Sequence, residues 1–178
     1  MSDNLKIVLA GFGGQGILFA GKVVAYGGLN DNKEISWLPS YGPEMRGGTA
    51  NCSVCISDKP IGSPLVLNPN ALIAMNLPSF EKFIPKVESG ATVVLDSFLI
   101  GKKVERDDVN TFYVPATKLA EDAGLKGLAN IILVGKLFKE IRFCSASALD
   151  KAVEKCVPPS KAHLLEANRK ALKIGMEY

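Results

Sequence analysis

The chain has 178 residues, 47% of them hydrophobic and 22% charged, with 21 basic against 18 acidic side chains and a single histidine. That length supports one domain, residues 1–178, able to bury roughly 70% of the surface its unfolded chain would expose. The apolar fraction and small net charge exclude a disordered chain, and no apolar run approaches the ~18 residues of a membrane-spanning helix.

Met1 to Lys6 leads directly into a strand-like segment, with no apolar stretch before a cleavage site, so a cytoplasmic protein is expected. Ile7-Val8-Leu9-Ala10 is a short continuous apolar run, the pattern of a parallel strand buried on both faces. A glycine-rich loop follows, then Ile17 to Tyr26 reads as a helix ended near Gly27-Gly28. Ile35 to Leu38 is a second strand, stopped by Pro39. Thr49–Ser57 and Pro64–Leu67 are expected to form a hairpin around the turn-rich Asp58–Gly62. Ala71–Met75, Thr92–Leu95 and Thr111–Val114 are further strands, with a short helix over Ser79–Val87 interrupted near Pro85. Helices over about 128–140, 145–156 and 160–177 close the chain, the second with a capping-box-like Ser147 and Asp150. Strands alternating with helices predict an α/β fold: a Rossmann-like sandwich with a mainly parallel sheet, one β-hairpin and a helical C-terminus.

The scarce residues narrow the chemistry. His163 is the lone imidazole, so a two-histidine zinc helix is impossible and any catalytic triad would hang on that residue. Cys52 and Cys55 have a metal-like spacing, yet Thr49–Ser57 alternates as a strand, which puts residues three apart on opposite faces. With Cys144 and Cys156 far along the chain, structural free thiols are expected rather than a metal or iron–sulfur site. The basic excess is confined to the last 28 residues, which carry 6 basic against 3 acidic groups. No basic stripe with interleaved aromatics points to nucleic acid.

Two loops carry the functional signal. Gly11-Phe12-Gly13-Gly14-Gln15-Gly16 matches G-x-G-x-x-G between a strand and a helix. Glycines let backbone N–H groups approach an anion, and a helix start adds unpaired donors and positive dipole, so a phosphate or pyrophosphate is the expected ligand; the alternative is a tight turn that binds nothing. A nicotinamide or flavin dinucleotide site needs an acid at the end of strand two, but Asp31 and Glu34 precede that strand. Gly16–Val23 resembles a phosphate-binding Walker loop but has Val23 in place of the magnesium-binding hydroxyl and a helical, apolar middle. The second loop, Ser40-Tyr41-Gly42-Pro43-Glu44-Met45-Arg46-Gly47-Gly48, follows strand two at the same sheet edge. Arg46 can pair with a phosphate or with Glu44, and Gly47-Gly48 permits close backbone approach.

These two motifs in order, with Thr49–Val54 and Leu128-Ala129-Asn130, closely resemble the gamma subunit of 2-oxoacid:ferredoxin oxidoreductases, most of all the 2-oxoglutarate type. Pyruvate, branched-chain and indolepyruvate types share features of the pattern. The resemblance implies a subunit that helps bind or position coenzyme A, with Gly11, Gly13, Gly14, Gln15 and Gly16 as phosphate loop. Ser40, Tyr41, Glu44, Arg46, Gly47 and Gly48 then shape the neighbouring ligand or subunit contact. It also implies alpha, beta and in some types delta partner subunits bearing thiamine diphosphate, magnesium and iron–sulfur clusters, with ferredoxin reached through the complex. No catalytic or metal-ligating residue is expected on this chain. The rival expectations are a ligand-free structural subunit and a free-standing NAD or flavin oxidoreductase.

Overall fold

The structure, a computed structural model, describes residues 4–40 and 49–178. Six strands form one sheet: β1 (Asn4–Phe12), β2 (Glu34–Ser40), β3 (Thr49–Ser57), β4 (Ala71–Ala74), β5 (Thr92–Asp96) and β6 (Asn110–Val114), in the order β2-β3-β1-β4-β5-β6. β1, β4, β5 and β6 run parallel, while β3 lies antiparallel between β1 and β2. The helices are α1 (Ile17–Asn30), α2 (Leu77–Phe83), α3 (Ala116–Asp122), α4 (Ala129–Ile141), α5 (Ala146–Cys156) and α6 (Leu165–Glu177). Short 3₁₀ turns follow α2 at Ile84–Lys86 and precede α6 at Pro159–Leu164.

Strand alternation builds two cores. Ile7 and Leu9 of β1, Ile73 of β4 and Val94 of β5 face α1 and α4 in the larger one. Val8, Ala10, Leu72, Val93 and Leu95 face the other way, against Phe80 and Phe83 of α2. All these side chains are at most 9% exposed, so each large one contributes on the order of 1.5–3 kcal/mol of burial. α5 packs on α1 and α6 on α4 as an outer helical layer. Lys136 is buried on α4, where its ammonium pairs with Glu140 at 2.8 Å and lies 4.7 Å from the Phe112 ring centre, so the charge is satisfied.

The α/β class and mainly parallel sheet match the sequence expectation, and several details are corrected. Pro64–Leu67 form no strand; the hairpin partner of β3 is β2, and β1 occupies its other edge. A strand has two edges, and with both of its edges filled β3 cannot also pair with Pro64–Leu67. α1 runs through Gly27 and Gly28 to Asn30, because those glycines sit where a side chain would strike Cys144 or Ile56. Pro39 lies inside β2, as an edge strand allows. α2 starts at Leu77, capped by the Asn76 side chain, and α3 has no strong sequence signal at all. α5 is capped by Ser145, which accepts from the Ala148 amide, while Asp150 pairs with Arg169 instead.

Candidate functional site

β1 ends at Phe12 and α1 begins at Ile17, so the glycine loop lies at the carboxyl edge of the parallel strands. α1 leaves β1 on one face of the sheet, and α2 leaves β4 on the other. The chain therefore turns opposite ways from two adjacent strands, the topological position where open α/β sheets form ligand crevices.

The loop is held from below and open above. Gln15 closes it: its Oε1 accepts from the Phe12 amide at 2.6 Å, its own amide donates to the Phe12 carbonyl at 3.2 Å, and its Nε2 reaches the Met75 carbonyl after β4 at 3.3 Å. A Cβ on Gly11 would lie 2.7 Å from that Oε1, so the closure requires glycine there. Gly14 and Gly16 have φ of +93° and +72°, a left-handed backbone that side chains disfavour. The Gly16 carbonyl accepts from Ala20 at 3.0 Å and from Asn130 Nδ2 at 2.9 Å, which ties the loop to the start of α4. Gly13 and Gly14 are exposed at the tip. α1 has no side-chain cap, so its first-turn amides remain available to a ligand.

A cleft of about 280 Å³ opens beside this tip, lined among others by Gly14, Gln15, Met75, Leu99, Thr117 and Lys126. Asp96, at the end of β5, fixes its far wall. The carboxylate is fully buried and accepts from the Phe98 amide (3.1 Å), the Thr117 amide (3.1 Å) and the Thr117 hydroxyl (2.6 Å). Burial raises its pKa above the ordinary carboxylate range, and those hydrogen bonds act in the opposite direction. Lys126 supplies a cation to the cleft and Glu121 an acid. A larger cleft, of about 400 Å³, lies at the amino ends of β1 and β5, away from the glycine loop and from the edge where such sheets bind ligands.

The sequence-derived candidates separate accordingly. Gly11, Gly13, Gly14, Gln15 and Gly16 come together as one loop, with the Gln15 side chain engaged in closing it. Ser40 ends β2 and is paired through Asn51 of β3 to Ala10 of β1, so it shares the edge but stands two strands, roughly 10 Å, away. Tyr41, Glu44, Arg46, Gly47 and Gly48 lie outside the described residues. Sequence reading missed Asn130's bond to the loop, and it missed Asp96, Thr117 and Lys126. An asparagine at the start of a helix and a carboxylate ending an apolar strand were the available signals.

The intervening β3 also bears on the dinucleotide alternative. Strand two is displaced from β1 by a whole strand, and its last residues, Leu38-Pro39-Ser40, offer no acid for a ribose. Asp31 accepts from the Ser145 hydroxyl at 2.7 Å, far from the loop's edge. The Walker-like stretch is inside α1, with Gly21 against Cys52 and Trp37, and Lys22 lies 5.1 Å from the Trp37 ring centre. The cysteines do not fit a cluster. Cys52 faces α1, its neighbour in spacing Cys55 faces the opposite side of the sheet, and Cys144 precedes α5 while Cys156 ends it. Burial pushes the Cys52 and Cys144 thiols up to about 12 and Cys156 to about 11, as expected of packed, protonated thiols.

Fold and loop together define an α/β protein with a glycine loop between β1 and α1 at the carboxyl edge of its parallel strands. Residues 6–178 match the pyruvate ferredoxin/flavodoxin oxidoreductase family, and the chain belongs to it. The 2-oxoglutarate synthase subunit KorC of Methanocaldococcus jannaschii is 36% identical over 156 residues, covering 86% of this chain and 83% of that protein. The ketoisovalerate oxidoreductase subunit VorA of Methanothermobacter thermautotrophicus is 32% identical, covering 98% of this chain but only 36% of its own length. The gamma subunit of a keto/oxoacid ferredoxin oxidoreductase from Geobacter sulfurreducens superposes with a TM-score of 0.86 at 30% identity, over 98% of this chain and 95% of that one. The chain is thus a gamma-type subunit within the 2-oxoacid:ferredoxin oxidoreductases. The same fold recurs, at 20% identity and a TM-score of 0.87, in 31% of a chain of a Magnetococcus marinus 2-oxoglutarate:ferredoxin oxidoreductase whose structure holds 2-oxoglutarate, coenzyme A and succinyl-CoA.

Proposed function

We propose that this chain is the gamma subunit of a 2-oxoglutarate-oxidising complex, in which the glycine loop holds a phosphate of coenzyme A. The observation that carries this reading is the loop itself. Its exposed Gly13-Gly14 tip and the uncapped start of α1 present several backbone donors at the β1–β4 switch point, and β2 ends Leu38-Pro39-Ser40 without an acid. Bound there, coenzyme A supplies the thiol that takes the acyl group. The chain's own residues bind and orient: Gln15 and Asn130 keep the donors in place, Lys126 adds positive charge, and Leu99 and Met75 give the cleft an apolar wall. Tyr41, Glu44, Arg46, Gly47 and Gly48 are proposed to extend this contact, with Ser40, at the edge where their loop begins. The relation to KorC supports 2-oxoglutarate as the oxidised acid. Because the cysteines cannot converge, the iron–sulfur clusters, with thiamine diphosphate and magnesium, are assigned to alpha, beta and delta-type partners that pass electrons to ferredoxin.

Gly13→Asp tests the loop. A carboxylate placed at the exposed tip opposes a phosphate at a cost of about 1–2 kcal/mol after solvent screening, so the coenzyme A KM of the assembled complex should rise roughly tenfold or more with the KM for the 2-oxoacid unchanged. An unchanged coenzyme A KM would leave the loop a turn with a purely structural role.

A further inference from the structure

The two halves of the sheet are covered unequally. On the α2 side, α2 and its 3₁₀ extension cover β1, β4 and β5. Beyond them, the same face of β2 and β3 carries the cross-strand pairs Ser36–Cys55, Leu38–Ser53 and Ser40–Asn51, with no helix over them among the described residues. The opposite face of these two strands is closed by α1, where Gly21 and Gly28 bring the helix against Cys52 and Ile56. The end of this face around Leu38–Ser53 and Ser40–Asn51 forms the floor of a groove of about 450 Å³, while Cys55 is buried. One wall is the strandless segment containing Leu65 and Leu67, and the other is Phe83 with Lys82 and Lys86.

The groove is apolar where it meets solvent. Leu38, Leu65 and Leu67 are 38%, 57% and 68% exposed, whereas Val66 between them turns inward to the smaller core. A monomeric surface has no reason to gather three such leucines around one concavity. The described lining of the groove includes Lys82 and Lys86 and no carboxylate. Lys86 stands 5.8 Å from the Phe83 ring centre and has no carboxylate within salt-bridge distance among the described residues.

We propose that this groove is the docking site for a partner subunit of the oxidoreductase, occupied by a segment that presents apolar side chains to Leu38, Leu65 and Leu67 and an aspartate or glutamate to Lys86. The proposal rests on the assignment of this chain to a multisubunit complex. Charge complementarity selects an acidic partner segment over a second copy of this chain, whose own groove is basic. The relatives' lengths supply the second argument. In VorA the matching region is only 36% of the protein, so a domain of this family is there one part of a longer chain. A separate gamma chain must hold its partners without a covalent tether, and an exposed apolar centre beside lysines, as in this groove, is a surface that such a contact would desolvate.

The test is made on the purified, co-expressed complex. Leu65→Asp, Leu67→Asp and Lys86→Glu alter exposed side chains, and unchanged melting of each isolated variant chain confirms that it folds. Zero-length carbodiimide coupling of the wild-type complex is expected to join Lys86 to an aspartate or glutamate of a partner subunit. Each leucine variant is expected to weaken assembly at least tenfold by native mass spectrometry or dilution-dependent sedimentation. Variants that fold and assemble as tightly as wild type overturn the groove assignment while leaving the complex itself established. Wild-type chain that binds none of the co-expressed subunits overturns the functional reading, and the docking site with it. A homodimer of the isolated chain broken by the same substitutions overturns the choice of partner.

Discussion

Asn130 is the link between the glycine loop and the helical layer, and Asn130→Asp isolates what that link does. The side chain is 97% buried by its 3% exposure, and its Nδ2 donates to the Gly16 carbonyl at 2.9 Å. An aspartate has the same shape but, when ionised, only acceptors. The substitution therefore removes a hydrogen bond of about 1 kcal/mol net and sets a desolvated negative charge against a carbonyl oxygen, a penalty on the order of 3 kcal/mol. Against this, a carboxylate in the first turn of α4 gains about 0.3–1 kcal/mol from the helix dipole. The net loss is about 2–4 kcal/mol, or roughly 5–15 °C in Tm for a domain of this size. The loss should be pH-dependent. Once protonated, the introduced carboxyl regains an O–H donor for Gly16, so the variant recovers relative to wild type as the pH is lowered from about 8 to 5. Thermal unfolding of both chains at those two pH values is the assay. A variant melting within 2 °C of wild type at pH 8, or one showing no relative recovery at pH 5, would refute the role given to this bond.

Other consequences are equally open to measurement. α4 and α6 cross in backbone contact, and a Cβ on Gly175 would overlap the Ile132 carbonyl. Gly175→Ala should therefore destabilise by about 1–3 kcal/mol in urea unfolding, although alanine is the better helix former by roughly 1 kcal/mol; a stabilised variant would contradict the packing. Asp96 has a native pKa raised above 3.8, so the folded chain holds this proton more tightly than the unfolded one. Its contribution to stability is then fully present below that value and declines as the pH climbs through the native pKa. The unfolding free energy of wild type relative to Asp96→Asn should accordingly fall as the pH rises from about 4, and a constant difference would rule out the buried titration.

Much of the site was legible because it is local. The glycine loop needs only a buried strand before it, a helix after it and glycine where φ is positive, and all three are written within residues 7–26. The role of Gln15 was not legible, since its side chain is fixed by the Met75 carbonyl 60 residues away. The same holds for Asp96, which ends an ordinary apolar strand and acquires its burial only when Thr117 and the start of α3 close over it. α3 itself is seven residues long, too short for periodicity to declare it.

By itself the sequence determined most of the strands and the longer helices in their order, the glycine loop between β1 and α1, and the separation of Cys52 from Cys55, because side-chain period and backbone preference act over a few residues. Only the tertiary structure decided which strands became neighbours. β3 inserted between β1 and β2, took both available edges, left Pro64–Leu67 unpaired, and moved strand two away from the loop. Strand pairing depends on which edges are free and which faces can be buried together, and those are properties of the assembled sheet rather than of any one segment.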